Sequence, residues 1–342
     1  MRRRSFLVAG IGAALLPGST LLPPLAQTGV ITRRQFAGTE KRLYSASDLA
    51  FGTTITMHVL HDDQRTAELA MQDAFAQAKN IDALMSIHTE TSQVGQLNAR
   101  GIIHRPDAHL LTVLAESSAL SRLTDGAFDI TVQPLWTQFT EAAARNALPT
   151  DEARKQAQAR VDWRAVQFDT QQVRLIRPSM AITLNGIAQG YAVDLALNAV
   201  RARGIEHALL DTGEFISIGS KAGHPWLVGV QDPRNANQLA TLLGMDGRSV
   251  ATSGDYETFF TADFAHNHIF DPATGDSPPE LASVTVAAPT GLLADGLSTA
   301  FFVMGHEKSL RLIQSMPQVD ALFIDKNGRA YSSAGLGALA RT

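Results

Sequence analysis

The sequence contains no cysteine. Disulfides cannot form in it, metal sites built on thiolates are excluded, and no lipid can be attached through an N-terminal cysteine. Beyond residue 26 it also lacks any apolar run approaching ~20 residues, the length a helix needs to cross a bilayer, so no transmembrane segment is expected in the mature chain. Net charge is slight: −4 over 342 residues, with acids and bases interspersed. The basic field that nucleic-acid binding requires is therefore missing, and nucleic acid is set aside as a partner. There is no internal repeat and no low-complexity tract, and the composition is that of a globular chain, neither disordered nor fibrous.

What is present begins with a targeting segment. Arg2, Arg3 and Arg4 precede an apolar stretch from Phe6 to Leu16 that is too short to span a bilayer. Arg3-Arg4-Ser5-Phe6-Leu7 resembles the twin-arginine export signal, with an ordinary Sec signal as the alternative. Pro24-Leu25-Ala26 offers small residues for cleavage, so residues 1–26 are read as a signal peptide and the mature chain as periplasmic. A second pair, Arg33-Arg34, leads into Glu40, Lys41 and Arg42 instead of an apolar run. Residues 27–42 are accordingly read as a linker and 43–342 as the functional domain, long enough for a substantial core.

Periodicity predicts a strand from Gly52 to Leu60, followed by a helix from Thr66 to Met85 with apolar residues near helical spacing. A helix over Asp107–Arg122, capped by Asp107, is broken at Thr124-Asp125-Gly126. A polar helix over Asp151–Ala159, short strands between Arg160 and Thr183, and a helix over Gly190–Gly204 follow. Strands then dominate: Leu209-Leu210, Phe215–Gly219, Trp226–Val230, Ser249–Ser253, His268–Phe270 and Ser283–Ala287. A helix over Leu293–Met304 and strands near Leu322–Asp325 and Ala330–Ser332 complete the chain. This is not a regular strand–helix alternation, so the expected fold class is α+β with a largely antiparallel sheet.

Five local constellations bear chemistry. Thr124 to Thr131 (TDGAFDIT) sets small residues and an aromatic beside two carboxylates, a pattern that suits contact with a heterocycle or, equally, a capped turn. Asn185 to Asp194 (NGIAQGYAVD) reads as a strand end opening a helix. Its glycines permit either close approach to phosphate or close packing; the lysine followed by serine or threonine that would complete a P-loop is absent. Asp295 and Thr299 stand four residues apart in a helix, hence on one face, offering hard oxygens that suit magnesium; a helix cap is the alternative. His266 and His268 share one face of the expected strand, where either could act as base, the pair could hold a transition metal, or neither could have a role. Ala251 to Tyr256 (ATSGDY) is a polar turn in which Ser253 could bond a ligand.

Taken in order, GTTITMHV, the Met85–Asn98 segment with Ser92 and Asn98, TDGAFDIT, GIAQGYAVD, ATSGDYE, HNHIFDPATG and ADGLSTAFFVMG resemble the ApbE family of FAD:protein FMN transferases, from about Gly52 to the C-terminal end. The resemblance implies an α+β fold with FAD in a groove between subdomains. It implies magnesium bound by Asp295, Thr299 and the Gly186 carbonyl, and His268 as the base. Cofactor contacts are implied for Ala127, Phe128, Asp129, Ser253 and Phe270. Four further contact positions depart from the family's common residues: Phe51 for methionine, His88 for tyrosine, Thr183 for aspartate and Gln189 for lysine. Gly213-Glu214 likewise stands in place of a glycine pair. The implied reaction moves FMN from FAD to a serine or threonine hydroxyl of an exported or membrane redox protein, with AMP leaving. A carrier or assembly factor that binds FAD without transfer, and a pyrophosphatase yielding FMN and AMP, are the alternatives.

Overall fold

A computed structural model describes residues 32–35 and 41–341; the signal peptide reading lies outside them. The N-terminal half runs β1 (Thr32–Gln35), β2 (Arg42–Ala50), β3 (Thr53–His61), α1 (Gln64–Met85), α2 (Gln93–Arg100), β4 (Ile102–His104), α3 (Ala108–Leu123), α4 (Gln133–Ala143), α5 (Asp151–Gln158), β5 (Val166–Phe168) and β6 (Gln172–Leu175). It continues with α6 (Ala188–Ala202), β7 (Ala208–Asp211), β8 (Phe215–Ile218), β9 (Leu227–Asp232), β10 (Asn235–Gly244), β11 (Ser249–Gly254), β12 (Leu281–Ala288), α7 (Gly291–Met304), α8 (His306–Ile313), β13 (Asp320–Asp325), β14 (Ala330–Ser332), α9 (Ala334–Leu339) and β15 (Ala340–Arg341).

Nine strands form one sheet in the order β1-β2-β3-β7-β8-β11-β12-β13-β14, each neighbouring pair antiparallel. The α+β, largely antiparallel expectation holds. Side chains alternate across a strand, and both faces of this sheet are covered. Leu210, Ile216, Ala251 and Val286 point into the larger core with α1, α6 and α7. Their neighbours Leu209, Phe215, Val250 and Ala287 point the other way, against Val228 of the small β15-β10-β9 sheet, Trp226 just before it and Leu336 of α9. Two-sided burial is why β12 is buried at every position, Ser283 and Thr285 included.

Several elements depart from the sequence expectation. The domain's first hairpin begins with β2, which pairs with β3 through the two-residue turn Phe51-Gly52. Both turn residues have positive φ (54° and 74°), the conformation whose twist suits a tight hairpin. β1, inside the segment read as a linker, lies along the outer edge of β2. No ladder forms at His268–Phe270, where a strand was expected. Side chains satisfy that backbone instead: Ser277 Oγ accepts from the Asn267 amide and donates to the Asn267 carbonyl (both 2.8 Å), and Asn267 Oδ1 accepts from the Ile269 amide (3.0 Å). Nor does a ladder strand precede α6. The Asn98 side chain takes that neighbour's place, donating to the Ile182 carbonyl (2.8 Å) and accepting its amide (2.7 Å).

The site depends on how α6 meets α7. Asp194 of α6 accepts the first two amides of α7, Gly291 (2.7 Å) and Leu292 (2.9 Å), while Thr290 caps the Leu293 amide. The helices touch at Gly190 and Gly291; a Cβ on Gly190 would lie 2.1 Å from the Gly291 carbonyl oxygen. Backbone cannot yield there as a side-chain tip can. Gly190→Ala is therefore expected to cost about 3 kcal/mol of stability, read as a lowered midpoint of urea unfolding.

Candidate active site

A cavity of about 290 Å³ opens where the β2–β3 turn, the loop after α3, the start of α6, the middle of α7 and the long β11–β12 connection converge. Its first wall is Phe51, whose left-handed turn conformation is held by the hairpin and by its amide donating to Asp82 (2.8 Å). Ile87 stands beside it; His88, expected at the cofactor, is exposed on the loop after α1 and does not line the cavity. The chain turns at Ser86–Thr89, where the Ser86 hydroxyl takes the His88 amide (3.2 Å), and the imidazole stays outside.

The second wall is Ala127, Phe128 and Asp129, with Gln133 and Trp136 of α4 beyond. Thr124 ends α3, and positive φ at Asp125 and Gly126 reverses the chain so that this segment faces inward. Asp129 lines the cavity, yet its oxygens are engaged by Thr131 amide (2.7 Å), Thr131 hydroxyl (2.6 Å) and Trp163 amide (3.1 Å). Burial raises its pKa despite those bonds. Its main role is to cap the turn that carries Phe128 and α4.

The third wall is Thr183, Gly186, Gln189, Gly213 and Glu214. Of the two readings open for the start of α6, phosphate approach or close packing, Gly190 fits the second: its amide donates to Asp295 Oδ2 (2.9 Å) and its α-carbon packs on Gly291. Gln189 donates its amide to the Thr212 carbonyl (2.9 Å), pinning the β7–β8 turn, in which Gly213 has φ +100°.

Opposite lie Asp295 and Thr299, one turn apart on α7. Asp295 does not cap its own helix. It is buried, 4% exposed, and a Cβ on Gly186 would lie 2.7 Å from Thr299 Oγ1, so the lack of a side chain brings the Gly186 backbone against that hydroxyl. Ser253 Oγ lies 2.7 Å from Ser298 Oγ and 3.3 Å from Thr299 Oγ1. Burial pushes the Asp295 carboxyl up to about 7. Glu214, which accepts the Thr252 amide (3.2 Å), is raised well above the usual range by burial and by Asp295. Glu257 is pushed up to about 7 by burial. Sequence reasoning noted Glu214 only as part of a departure from a glycine pair, without a role, and passed over Glu257, Gln133 and Trp136. The signal for the carboxylates was slight: each sits in a β-turn region where acids are ordinary.

The last wall holds His268 and Phe270. His268 Nδ1 lies 3.1 Å from the Thr258 carbonyl, an acceptor only, so Nδ1 carries the proton and Nε2 keeps its lone pair. Burial lowers the imidazole pKa to about 4, which keeps it neutral at physiological pH. His266 diverges from it and bonds Asp276 (2.7 Å) outside the lining. Among the described residues, no three His, Asp or Glu side chains converge as a metal site, so a cation at Asp295 would draw most of its oxygens from hydroxyl, carbonyl, water and ligand.

The connection carrying His268 is clamped by Asp255, fully buried and bonded twice by Arg234 (2.7 and 2.9 Å), with Lys326 Nζ at 3.8 Å. Lys326 also donates to the Phe264 carbonyl (2.8 Å), tying the far side of the loop to the same centre. Removing one partner of such a pair leaves a buried charge uncompensated. Arg234→Ala is expected to destabilise the protein by roughly 3 kcal/mol, measured by urea unfolding, and to lower activity through displaced His268.

The ApbE family model matches residues 51–323. The chain is 30% identical to an FAD:protein FMN transferase of Treponema pallidum across 86% of this chain and 88% of that protein. It is likewise 30% identical to one of Haemophilus influenzae, across 85% and 91%. Among solved structures it is similar to the ApbE protein of Thermotoga maritima, with a TM-score of 0.79 at 30% identity over 88% of this chain and 100% of that one. The apo form of the flavinyl transferase ApbE of Pseudomonas stutzeri gives 0.74 at 29% identity over 87% and 97%. With sequence and fold in agreement over most of its length, the chain belongs to the ApbE family.

Proposed function

We propose that this protein is an FAD:protein FMN transferase, acting in the periplasm after export by the twin-arginine route on an acceptor redox protein bearing a threonine or serine. The observation that carries the reading is the pairing, in one cavity, of a neutral histidine with its Nε2 lone pair free and a buried carboxylate–hydroxyl pair on α7. The relatives' described activity supplies the substrate class.

Charge supports a magnesium requirement. Asp129, Glu214, Glu257 and Asp295 line the cavity, and among the described residues no lysine or arginine does. A diphosphate in such a lining meets no protein cation, so a bound metal ion is what would neutralise it. The donors suit magnesium: Asp295, the Thr299 hydroxyl and the Gly186 backbone offer hard oxygens, with the remaining positions left to water and diphosphate. Bound there, the ion would neutralise the diphosphate and the AMP leaving group.

The chain's own residues do the rest. Thr258 fixes the His268 tautomer so that Nε2 takes the proton of the acceptor hydroxyl as its oxygen attacks the FMN phosphorus. A new bond forms between the acceptor oxygen and the FMN phosphorus, the bond from that phosphorus to the bridging oxygen breaks, and AMP departs with the bridging oxygen. Apolar and aromatic walls at Phe51, Phe128 and Phe270 exclude water, which would otherwise divert the reaction to free FMN. Chromatography of products after incubation with FAD, magnesium and acceptor tests the reading: AMP with protein-bound FMN is expected, whereas free FMN with AMP, or unchanged FAD, would contradict it.

A further inference from the structure

We propose that Gln133 reads a heterocyclic edge of the bound dinucleotide, its amide pairing with an adjacent donor and acceptor on one of the two rings. The inference rests on the FAD reading above. Gln133 opens α4 and lines the cavity beside Asp129 and Trp136. Its Oε1 is buried without a hydrogen-bond partner, and no other protein group engages the amide. Buried side-chain oxygens are almost always bonded, because an unmet one forfeits its hydration with no return. Gln189, the other glutamine of the lining, is by contrast tied to the protein, its amide nitrogen donating to the Thr212 carbonyl (2.9 Å).

The fold gives the Gln133 amide little freedom to escape. Asp129 holds the preceding turn through Thr131, and Pro134 fixes the backbone that follows. Rotation about the last side-chain bond can still exchange oxygen and nitrogen, so the group offers a donor and an acceptor side by side. Within FAD that pattern is matched in two places: the isoalloxazine imide, where N–H adjoins a carbonyl, and adenine, where the amino group adjoins a ring nitrogen. The diphosphate, an acceptor only, lacks it, and the ribityl and ribose hydroxyls offer it only through freely rotating O–H groups, not as the fixed planar edge a ring presents. Trp136, one helical turn beyond Gln133 and also in the lining, offers an aromatic face near the same ring.

Gln133→Leu and the straight-chain Gln133→Met remove the amide while keeping bulk. Binding of FAD, FMN and AMP, each with magnesium, is measured by calorimetry, together with Tm of the ligand-free protein. Each variant is expected to bind FAD about tenfold more weakly, with ligand-free Tm raised by about 2 °C because the unmet oxygen is gone. An equal loss for FMN alone assigns the flavin imide; an equal loss for AMP alone assigns adenine. Wild-type FAD affinity in both variants, or a lowered Tm with affinity unchanged, overturns the inference while leaving the proposed function standing. Failure of the wild-type protein to bind FAD would instead remove the proposed function, and this inference with it.

Discussion

His268→Ala is expected to reduce FMN transfer by roughly 10²–10⁴-fold, the usual contribution of a positioned base, while FAD binding stays within about twofold of wild type, since no hydrogen bond to the diphosphate is assigned to the ring. Single-turnover transfer and FAD calorimetry on the same preparation separate the two quantities. The pH profile adds a second mark. The imidazole is neutral above about 4 because it is buried, so wild-type transfer should show no histidine limb near 6.5, and unchanged transfer by the variant would exclude the base role. Stability carries the same sign. Between about 4 and 6.5 the unfolded chain binds a proton at this histidine that the folded chain refuses, so its contribution is intact above 6.5 and lost as pH falls to about 4. Removing the ring should make the protein less acid-sensitive over that window.

Replacing Asp295 with asparagine is expected to abolish the response to magnesium and to lower transfer by roughly 10²-fold or more. Its carboxyl is raised to about 7 by burial. A group raised in this way holds its proton in the folded state, and its stabilising contribution is lost as pH rises through about 7. A cation must displace that proton to bind. The rise in Tm caused by magnesium should therefore be small at pH 6 and larger at pH 8 in the wild type, and absent at both in Asp295→Asn. The ligand-free variant should also be the more stable protein at pH 8. A magnesium shift equal at both values, or retained in the variant, would place the cation elsewhere.

The antiparallel α+β class was readable because short β-branched runs alternate with turns rich in Gly, Pro, Asp and Asn from Leu209 onward. Helices α1, α3 and α7 were likewise legible, since each shows a capping residue or apolar spacing at its start. β10 was not: its first six residues, Asn235 to Ala240, are exposed and carry two Asn and a Gln, and its strand character comes from pairing with β9. α4 carried one readable mark, proline near its first turn, that went unused. At the site, linear segments pointed to His268, Asp295 and Thr299 because each lies in a distinctive local run. His88 misled because neighbours in sequence part at the end of a helix: Ile87 turns into the cavity and His88 away from it. Glu214 meets Asp295, and Glu257 joins the same lining, only because the β7–β8 turn, the β11–β12 connection and α7 pack together, which no local pattern encodes. The tautomer of His268 depends on a carbonyl ten residues earlier in an irregular loop.

The most direct test of the account is the intact mass of an acceptor domain bearing the target threonine, incubated with the mature protein, FAD and magnesium. An increase equal to one FMN, dependent on magnesium and absent with His268→Ala, is the predicted result. An acceptor of unchanged mass while wild-type protein binds FAD and magnesium in the same tube would contradict it.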